Sequence, residues 1–266
     1  SAVPEMLRDQ FPWLQAILLK TRHGTDEGKL GKVVWGSSLT SKIREFGVRY
    51  ALDLQMNQDA SFYLDTRNVR RWAADNLAGK DVLNTFAYTG SLGVAAQAAG
   101  ANRVLHTDLN KRFLNVAKTS YTLNGFPIVK KLFQTGDFWR KMSQLNRAGE
   151  QFDCVFVDPP FFAQTAAGTV DLNQGMIRLV NKVRPLVRHD GHIIAINNAL
   201  FVSGAEYMAE LEALCADGYV QIEQLIPVPE DCTGYPHTRT NPPITDLAPF
   251  NHSTKIALLK IYHHKA

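Results

Sequence analysis

The stretch DVLNTFAYTGSLGVAAQAAGANRVLHTD, residues 81–108, decides the fold class. Its first part, 81–87, has the apolar and β-branched character of a buried strand, and 102–108 repeats that character. Between them, 91–100 is rich in alanine and ends at Gly100, which predicts a helix that packs close to a sheet. A strand, a helix and a second strand in succession predict two parallel strands joined by a helical crossover.

The same alternation continues to the end of the chain. We expect further strands at 128–134, 152–158, 192–197, 219–228 and 254–262, and helices at 110–124, 171–188 and 204–217. No helix separates the last two strands, so they are expected to pair antiparallel across a long proline-rich loop, 229–253. The predicted fold is α/β: a doubly wound, mostly parallel, seven-stranded Rossmann-like sheet with an antiparallel last strand.

The residues before the sheet have a different pattern and predict a small N-terminal α+β extension, 1–75, packed against a larger domain, 76–266. Its expected elements are a helix over 4–23 interrupted near Pro12, short strands at 32–38, 43–54 and 60–68, and a helix at 69–77.

Composition excludes several classes of protein. Of the 266 residues, 45% are hydrophobic and 20% charged, which is typical of a soluble globular chain, and no apolar run reaches membrane-spanning length. The cysteines Cys154, Cys215 and Cys232 lack metal-site or disulfide spacing. We therefore expect a cytoplasmic protein without a metal or a membrane partner. A net charge of +4 permits a polyanionic partner without requiring one.

Each predicted strand of the sheet ends at its carboxyl side in a glycine or a polar residue. In chain order these are Gly90, Asp108 followed by Leu109, Gly136 followed by Asp137, Asp158, and Asn197. Ligands of doubly wound sheets bind beyond the carboxyl ends of the strands. The set therefore predicts one ligand site at one edge of the sheet.

A nucleoside cofactor accounts for this set. Gly90 lets the backbone approach a ligand closely, and Asp108 is the expected acceptor for two ribose hydroxyls. Asp137 is positioned to accept a hydrogen bond from an adenine amino group. The alternative is that Asp108 and Asp137 cap the helices that begin near 110 and 138. The nicotinamide fingerprint G-x-G-x-x-G and the P-loop are both absent from the sequence.

The segment from NTFAYTGSLG to YTLNGF, residues 84–126, resembles the cofactor region of class I S-adenosylmethionine methyltransferases. More narrowly, it resembles that of bacterial large-subunit ribosomal RNA methyltransferases, which modify cytosine C5 or guanine N7. ASFYLDTRNVRRW (60–72) is similar to their FLDxR segment, and FVDPPFF (156–162) to their DPP motif. The resemblance runs from about Arg49 to Asn198 and implies an S-adenosylmethionine-dependent methyltransferase.

The resemblance also implies which residues surround the cofactor. They are Asp65, Arg67, Phe86, Tyr88, Thr89, Gly90, Asp108, Leu109, Gly136, Asp137 and Asp158. Two departures from the family are visible. Ser91 stands where a second glycine is usual, and no RNA-binding domain is recognised ahead of the sheet.

The DPPFF turn is the predicted acceptor side. Pro159 and Pro160 make the turn stiff, so Phe161 or Phe162 is expected to stack on a planar acceptor. Asp158 and the Pro159 carbonyl are expected to accept hydrogen bonds from an N–H group of that acceptor. The alternative interpretation is an ordinary turn whose rings tuck beneath a loop.

Cysteine positions separate the two kinds of ribosomal RNA enzyme. The cytosine-C5 members need a nucleophilic cysteine near the fourth or fifth strand end, where this chain has none. Cys154 is expected inside a strand and Cys215 on a helix, so only Cys232 in the long loop could reach the site. The pair Asn197-Asn198 is more similar to the guanine-N7 members.

These observations predict methyl transfer to a nitrogen of a nucleobase in RNA, with ribosomal RNA as the expected partner and Asp158, Pro159, Phe161 and Asn197 as the catalytic residues. Two alternatives stay open. One is a methyltransferase of the same fold acting on a small planar molecule, and the other is a non-catalytic RNA-binding factor. The loop 229–253 is either a lid over the acceptor or a solvated connection.

Overall fold

The computed structural model describes residues 2–21, 25–234 and 241–263, apart from the side chains of residues 26 and 174. The chain forms two compact units, Ser1–Tyr63 and Leu64–Ala266. Among the helices in the described ranges, none is long and apolar enough to cross a membrane.

The smaller unit contains short helices and two antiparallel strand pairs. Its elements are α1 (Ala2–Gln10), β1 (Ala16–Leu19), α2 (Asp26–Leu30), β2 (Lys32–Gly36), β3 (Lys42–Glu45) and β4 (Val48–Ala51). Strand β1 pairs with β2, and β3 pairs with β4.

Three expectations for this unit need correction. The helix predicted over 4–23 ends at Gln10, because Pro12 cannot continue it and the next residues form β1. The strand predicted at 43–54 is a hairpin that turns at Phe46 and Gly47, both with positive φ. The strand predicted at 60–68 does not form; these described residues make turns and the start of a helix.

The larger unit carries the sheet and its covering helices. Its elements are α3 (Arg67–Asn76), β5 (Asp81–Thr85), α4 (Ser91–Ala98), β6 (Arg103–Asp108), α5 (Lys111–Leu123), β7 (Phe133–Thr135), α6 (Phe138–Arg147), β8 (Phe152–Val157), β9 (Phe162–Thr165), β10 (Gly168–Asp171), α7 (Ile177–Val183), β11 (Val187–Asn197), α8 (Gly204–Cys215), β12 (Val220–Leu225), α9 (Glu230–Thr233) and β13 (Lys255–Ile261).

The seven-stranded sheet has the order β12-β13-β11-β8-β5-β6-β7. Strands β11, β8, β5, β6 and β7 are mutually parallel, whereas β13 runs antiparallel to both β11 and β12. This confirms the predicted doubly wound sheet with an antiparallel last strand. The chain passes outward from β5 to one side and from β8 to the other, so the strand order reverses between β5 and β8.

Both faces of the sheet are buried. Successive side chains of a strand point to opposite faces, and each set packs in its own apolar cluster. In β8, Val155 and Val157 join the apolar cluster formed with α6, α7 and α8, whereas Phe156 joins the cluster formed with α3 and α4. Val69 and Ala73 of α3 belong to this second cluster. Helix α3 is thus part of the larger unit, which begins at 64 and not at the predicted residue 76.

Other element boundaries also differ from the prediction. The third strand, expected at 128–134, forms only at Phe133–Thr135 after a short 3-10 turn. The helix expected at 171–188 is limited to α7, because Gly175 with φ 97° precedes it and Pro185 follows it in a 3-10 turn. The antiparallel hairpin β9–β10 was not expected from the sequence.

Candidate active site

The carboxyl ends of the parallel strands place most of the predicted residues along one edge of the sheet. Thr85 at the end of β5 is in register with Val157 at the end of β8, and Asp108 of β6 with Thr135 of β7. The loops that follow these residues therefore emerge side by side, at the point where the strand order reverses. This is the place at which ligands of doubly wound sheets bind.

The loop after β5 has an unusual backbone. Phe86, Tyr88 and Gly90 all have positive φ, at 48°, 49° and 82°. For a non-glycine residue this conformation costs about 1–3 kcal/mol, and such residues cluster at functional sites. The peptide N–H of Ala87 donates to the Thr107 carbonyl at 2.9 Å, which ties the loop to β6.

The aromatic residues of this loop are held by ring contacts. The Phe86 ring stacks on Phe138 with 4.5 Å between centroids, and the Tyr88 ring meets Phe113 edge-on at 4.6 Å. Thr89, which follows Tyr88, is buried. The surrounding structure thus fixes a conformation that the residues themselves disfavour, and nothing in their sequence indicates its φ values.

Gly90 is required by packing as well as by its φ. A Cβ atom at this position would lie 2.5 Å from the Cβ of Ala117 on α5, which is too close for any side chain. This close approach of α4 and α5 is a different reason for glycine than the predicted approach of a ligand, which stays a prediction.

Asp108 anchors the same loop. One carboxylate oxygen accepts from the Tyr88 N–H at 2.8 Å and the other from the Asn110 N–H at 2.7 Å. Burial raises the pKa of Asp108, and these backbone hydrogen bonds oppose the rise. Helix α5 is capped by Asn110, whose side chain accepts from Arg112, so the interpretation of Asp108 as the cap is wrong. Leu109 beside it is 60% exposed.

Asp137 is the N-cap of α6, as the alternative interpretation expected. One carboxylate oxygen accepts from the Arg140 N–H at 3.0 Å, and the other accepts from the Thr165 hydroxyl at the end of β9. The preceding Gly136 donates its N–H to the Asp108 carbonyl at 2.8 Å. The ends of β6 and β7 are thereby joined, and Asp137 also holds the β9–β10 hairpin.

Asp65 contributes a buried acceptor at the start of α3. Its Oδ2 accepts from the Thr254 hydroxyl at 2.7 Å, whereas Oδ1 is buried and has no hydrogen-bond partner within the described ranges. Buried polar atoms are nearly always paired, so an unpaired carboxylate oxygen at this edge indicates a place for a ligand's donor group.

Arg67 makes an ion pair with the long loop. Its Nη1 lies 2.9 and 2.8 Å from the two carboxylate oxygens of Asp231 in α9. The Asp231 side chain is 51% exposed, so the pair adds at most about 1 kcal/mol of stability. This contact connects the FLDxR segment to the first part of the loop 229–253.

The rest of that loop is described from residue 241 onward, and residues 235–240 lie outside the described ranges. The Thr245 hydroxyl donates to the Leu200 carbonyl at 3.3 Å, and the Asp246 backbone carbonyl accepts from the Gly204 N–H at 2.8 Å. The loop therefore borders Arg67 through its first part and the segment after β11 through its second. Its role as a lid stays a prediction.

Asp158 has the most perturbed carboxyl group of this edge. Burial, reinforced by the nearby carboxylate of Asp65, raises its pKa to about 7. A carboxyl group with such a pKa exchanges its proton near neutral pH, as acid–base groups of active sites do. The proximity of Asp65 and Asp158 depends on the tertiary fold.

The rings of the DPPFF turn are accessible, and their role toward an acceptor stays a prediction. In the described part of the chain, the rings of Phe161 and Phe162 are 40% and 55% exposed, so the alternative of tucked rings is wrong. The Pro159 carbonyl accepts from the side-chain amide of Asn198 at 3.3 Å. The Phe161 carbonyl accepts from the Leu172 N–H at 3.0 Å, which anchors the far side of the turn.

Asn197 is fully buried, as are Ile196 and Ala199, whereas the adjacent Asn198 is partly exposed. Its Oδ1 accepts from the Ala199 N–H at 2.9 Å, and its Nδ2 has no partner among the residues that the structure describes. Its side chain shapes the turn after β11, and Asn198 is the asparagine that contacts the DPPFF turn. The catalytic role predicted for Asn197 stays a prediction.

Nucleophilic cysteines have lowered thiol pKa values, whereas the pKa values of the thiols in this chain are raised. Burial raises the pKa of Cys154, Cys215 and Cys232, and Asp231 raises that of Cys232 further. Cys154 lies in β8 and Cys215 ends α8, as expected. A search of the described ranges finds no group of His, Cys, Asp and Glu side chains that could hold a metal ion.

Comparison with known proteins identifies the family. A family model described as S-adenosylmethionine-dependent methyltransferase matches residues 14–239. The chain belongs to this family. Two solved structures with the same fold are SMU.776, crystallised with SAH, and the SAM-dependent methyltransferase from Agrobacterium tumefaciens. The methyltransferase superimposes on the first with a TM-score of 0.83 at 21% identity, covering 97% of this chain and 65% of that one. The corresponding values for the second are 0.68, 16%, 96% and 79%.

Curated relatives of this methyltransferase are bacterial ribosomal RNA enzymes. It is 31% identical over 204 residues to ribosomal RNA large subunit methyltransferase K/L of Shewanella amazonensis, covering 76% of this chain and 28% of that protein. It is 35% identical over 148 residues to ribosomal RNA large subunit methyltransferase I of Vibrio campbellii, covering 52% of this chain and 37% of that protein. The chain thus spans well under half the length of these relatives.

Proposed function

We propose that the chain transfers a methyl group from S-adenosylmethionine to a nitrogen of a nucleobase in RNA, with ribosomal RNA as the substrate. The observation that carries the proposal is the position of the DPPFF turn. Its exposed rings and the perturbed carboxyl group of Asp158 follow β8, next to the strained loop that follows β5. A planar acceptor and a nucleoside cofactor would then meet where the strand order reverses.

The residues on the β5–β7 side fit the cofactor. S-adenosylmethionine has an amino group, ribose hydroxyls and an adenine amine as donors, and Asp65 offers a buried oxygen without a donor. Asp108 and Leu109 would bind the ribose, and Gly136 and Asp137 the adenine. The residues that would surround the remainder are Asp65, Arg67, Phe86, Tyr88, Thr89, Gly90 and Asp158. When bound, the cofactor supplies a methyl group on a sulfonium centre, which is reactive without further activation.

The acceptor residues would supply orientation. Phe161 or Phe162 would stack on the base, and Asp158 would accept a hydrogen bond from a ring or exocyclic N–H. A ring nitrogen attacks with its own lone pair, so no strong base is needed. Positioning of this kind supplies about 7 kcal/mol or more of the reduction in the barrier.

One observation favours RNA as the substrate, and another favours nitrogen as the methylated atom. The relatives at 31% and 35% identity are named as ribosomal RNA methyltransferases. The raised pKa values of all three thiols disfavour the covalent chemistry of cytosine C5 and leave nitrogen as the acceptor atom. A small planar acceptor is the second candidate, and it is favoured by the modest net charge of +4.

Transfer of a labelled methyl group tests the proposal. The purified chain is incubated with methyl-labelled S-adenosylmethionine and a cell extract, which is then separated into RNA, protein and small molecules. We expect label in ribosomal RNA on a base nitrogen. Label only in small molecules would refute the RNA substrate, and no label in any fraction would refute the activity.

Two carboxylate variants control this experiment. Asp158→Asn should lose at least tenfold in transfer, while Asp75→Asn, at an exposed position of α3, should equal the wild type. Equal losses in both variants would contradict a specific role for Asp158.

A further inference from the structure

Lys255 is a buried cation at the inner end of β13. It stands opposite Asn197 in the pairing of β13 with β11, and its side chain has no exposed surface. Its ammonium donates to the Ala199 carbonyl at 2.9 Å and to the Ser253 carbonyl at 2.7 Å. Burial lowers its pKa to about 8, so the charged form is kept at a cost.

The two hydrogen bonds fix a turn that belongs to the acceptor side. The Ala199 peptide is held at both ends, because its N–H donates to Asn197 Oδ1 and its carbonyl accepts from Lys255. Asn198 lies between Asn197 and Ala199 in the chain. Its side-chain amide donates to the carbonyl of Pro159, the residue that follows Asp158.

We propose that Lys255 is a positioning residue for methyl transfer, and this inference rests on the proposed function. The ammonium fixes the turn 197–199, so that the Asn198 amide holds the Pro159 carbonyl and thereby sets the direction of Asp158 and Phe161. Lys255 does not touch the acceptor itself. It acts through two contacts, Ala199 and then Asn198.

A purely structural role is the competing explanation, and it predicts a different result. Replacing Lys255 by an apolar side chain removes the cost of burying a charge but leaves the Ala199 and Ser253 carbonyls without this donor. Lys255→Met keeps an unbranched side chain of similar volume and removes the charge together with the donors. A positioning role predicts a folded variant with impaired methyl transfer. A structural role predicts that methyl transfer falls only as far as the thermal stability of the variant falls.

The first experiment compares Lys255→Met with Lys260→Met, which lies on the same strand and pairs with Asp190 at 3.3 Å. Transfer kinetics, cofactor affinity by calorimetry and thermal unfolding are measured for both. We expect Lys255→Met to lose at least tenfold in kcat/KM for the acceptor while its cofactor Kd stays within twofold. Lys260→Met should behave as the wild type.

A double-mutant cycle then tests the route through Asn198. Asn198→Ala removes the contact with Pro159. In that background, Lys255→Met should lower kcat/KM for the acceptor by less than a further threefold. If Lys255→Met does not fold, Lys255→Gln, which keeps a donor group, replaces it in the same cycle. Additive losses, or a parallel loss of cofactor affinity, would overturn the inference.

The outcomes separate this inference from the proposed function. Absence of transfer by the wild type would overturn the proposed function and the inference together. Normal kcat/KM in Lys255→Met, measured beside an active wild type, would overturn the inference alone.

Discussion

At the scale of single residues, the carboxyl group of Asp158 is expected to set the pH dependence of transfer. Its pKa of about 7 results from burial and from Asp65. If the ionised form accepts the hydrogen bond of the base, kcat/KM should rise as pH rises through about 7 and then reach a plateau. Asp158→Asn should be at least tenfold less active and should lack this rise. A wild-type profile that is flat between pH 5 and 9 would contradict this role.

The same pKa predicts an effect on stability. The folded pKa of Asp158 lies above its ordinary value of 3.8, so the folded chain binds more protons than the unfolded chain between about pH 4 and pH 7. This contribution to stability is present below pH 4 and is lost as pH rises through 7. The free energy of unfolding of Asp158→Asn, relative to the wild type, should therefore increase over that range by up to about 4 kcal/mol. Denaturant titrations at several pH values measure it, and a constant difference would contradict it.

Gly90 and Gly100 form a matched pair for a test of packing. Both have positive φ, but a Cβ at Gly90 would meet Ala117 at 2.5 Å, whereas none of the described atoms lies within 4 Å of one at Gly100. Gly90→Ala should destabilise the chain by about 2–4 kcal/mol, and Gly100→Ala by only about 1 kcal/mol. Thermal unfolding measures both. Equal losses would show that the conformation alone, and not the approach of the two helices, requires glycine.

Residue identity predicted the acidic positions of the site but not their partners. Asp65 and Asp158 come together only in the folded chain, and neither segment carries a signal for the other. Asn197 and Asn198 are adjacent in sequence, yet the first is buried and the second contacts Pro159. The importance of Lys255 was not visible either, since a lysine inside an apolar strand has no distinguishing pattern.

At the scale of secondary-structure elements, the β9–β10 hairpin connects the two sides of the site. It begins at Phe162 of the acceptor turn, and the Thr165 hydroxyl at the end of β9 donates to Asp137 and lies 3.1 Å from the Gly168 carbonyl oxygen. Thr165→Val should release the hairpin at a cost of about 1–2 kcal/mol in stability. Hydrogen exchange of residues 162–171 should become faster, whereas Thr169→Val in the same hairpin should leave it unchanged. Equal exchange in the two variants would contradict the tether.

The hairpin illustrates why some elements escaped prediction. Its strands are only four residues long, and the segment follows two prolines, so it has no period-two pattern of useful length. The apolar spacing of 171–188 does match a helix, but Gly175 and Pro185 limit the helix to Ile177–Val183. β8 was placed correctly because burial on both faces of the sheet demands a continuous apolar run. α5 was placed correctly because its one buried face demands apolar residues at helical spacing.

At the scale of the whole molecule, net charge predicts how substrate binding responds to salt. An RNA substrate would release counterions on binding, so its KM should rise with salt, with a logarithmic slope of about 0.7 for each neutralised phosphate of a single strand. A small uncharged acceptor should show almost no slope. Initial rates measured from about 50 to 300 mM salt distinguish the RNA substrate from the small acceptor. A salt-independent KM for RNA would contradict recognition of its backbone.

The arrangement of the sheet was largely predictable at this scale. Alternating strands and helices permit few topologies, because parallel strands need crossovers and crossovers have one hand. No crossover helix was predicted between the last two strands, which indicated their antiparallel pairing; the segment between them does contain the four-residue helix α9, which is too short to be a crossover. The place of β13 beside β11 did not follow from any local pattern, and this pairing is what brings Lys255 opposite Asn197.

The insertion of β13 between β11 and β12 has a consequence for biosynthesis. Both neighbours leave the ribosome earlier than β13; β11 then has one unpaired edge beside its pairing with β8, and β12, which pairs with β13 in the described sheet, has no strand partner at all. The nascent polypeptide therefore exposes unpaired backbone N–H and C=O groups on both strands until residues 255–261 emerge. Chaperone capture should be greatest just before those residues emerge. The turn after β11 acquires its final shape only when translation has passed Lys255.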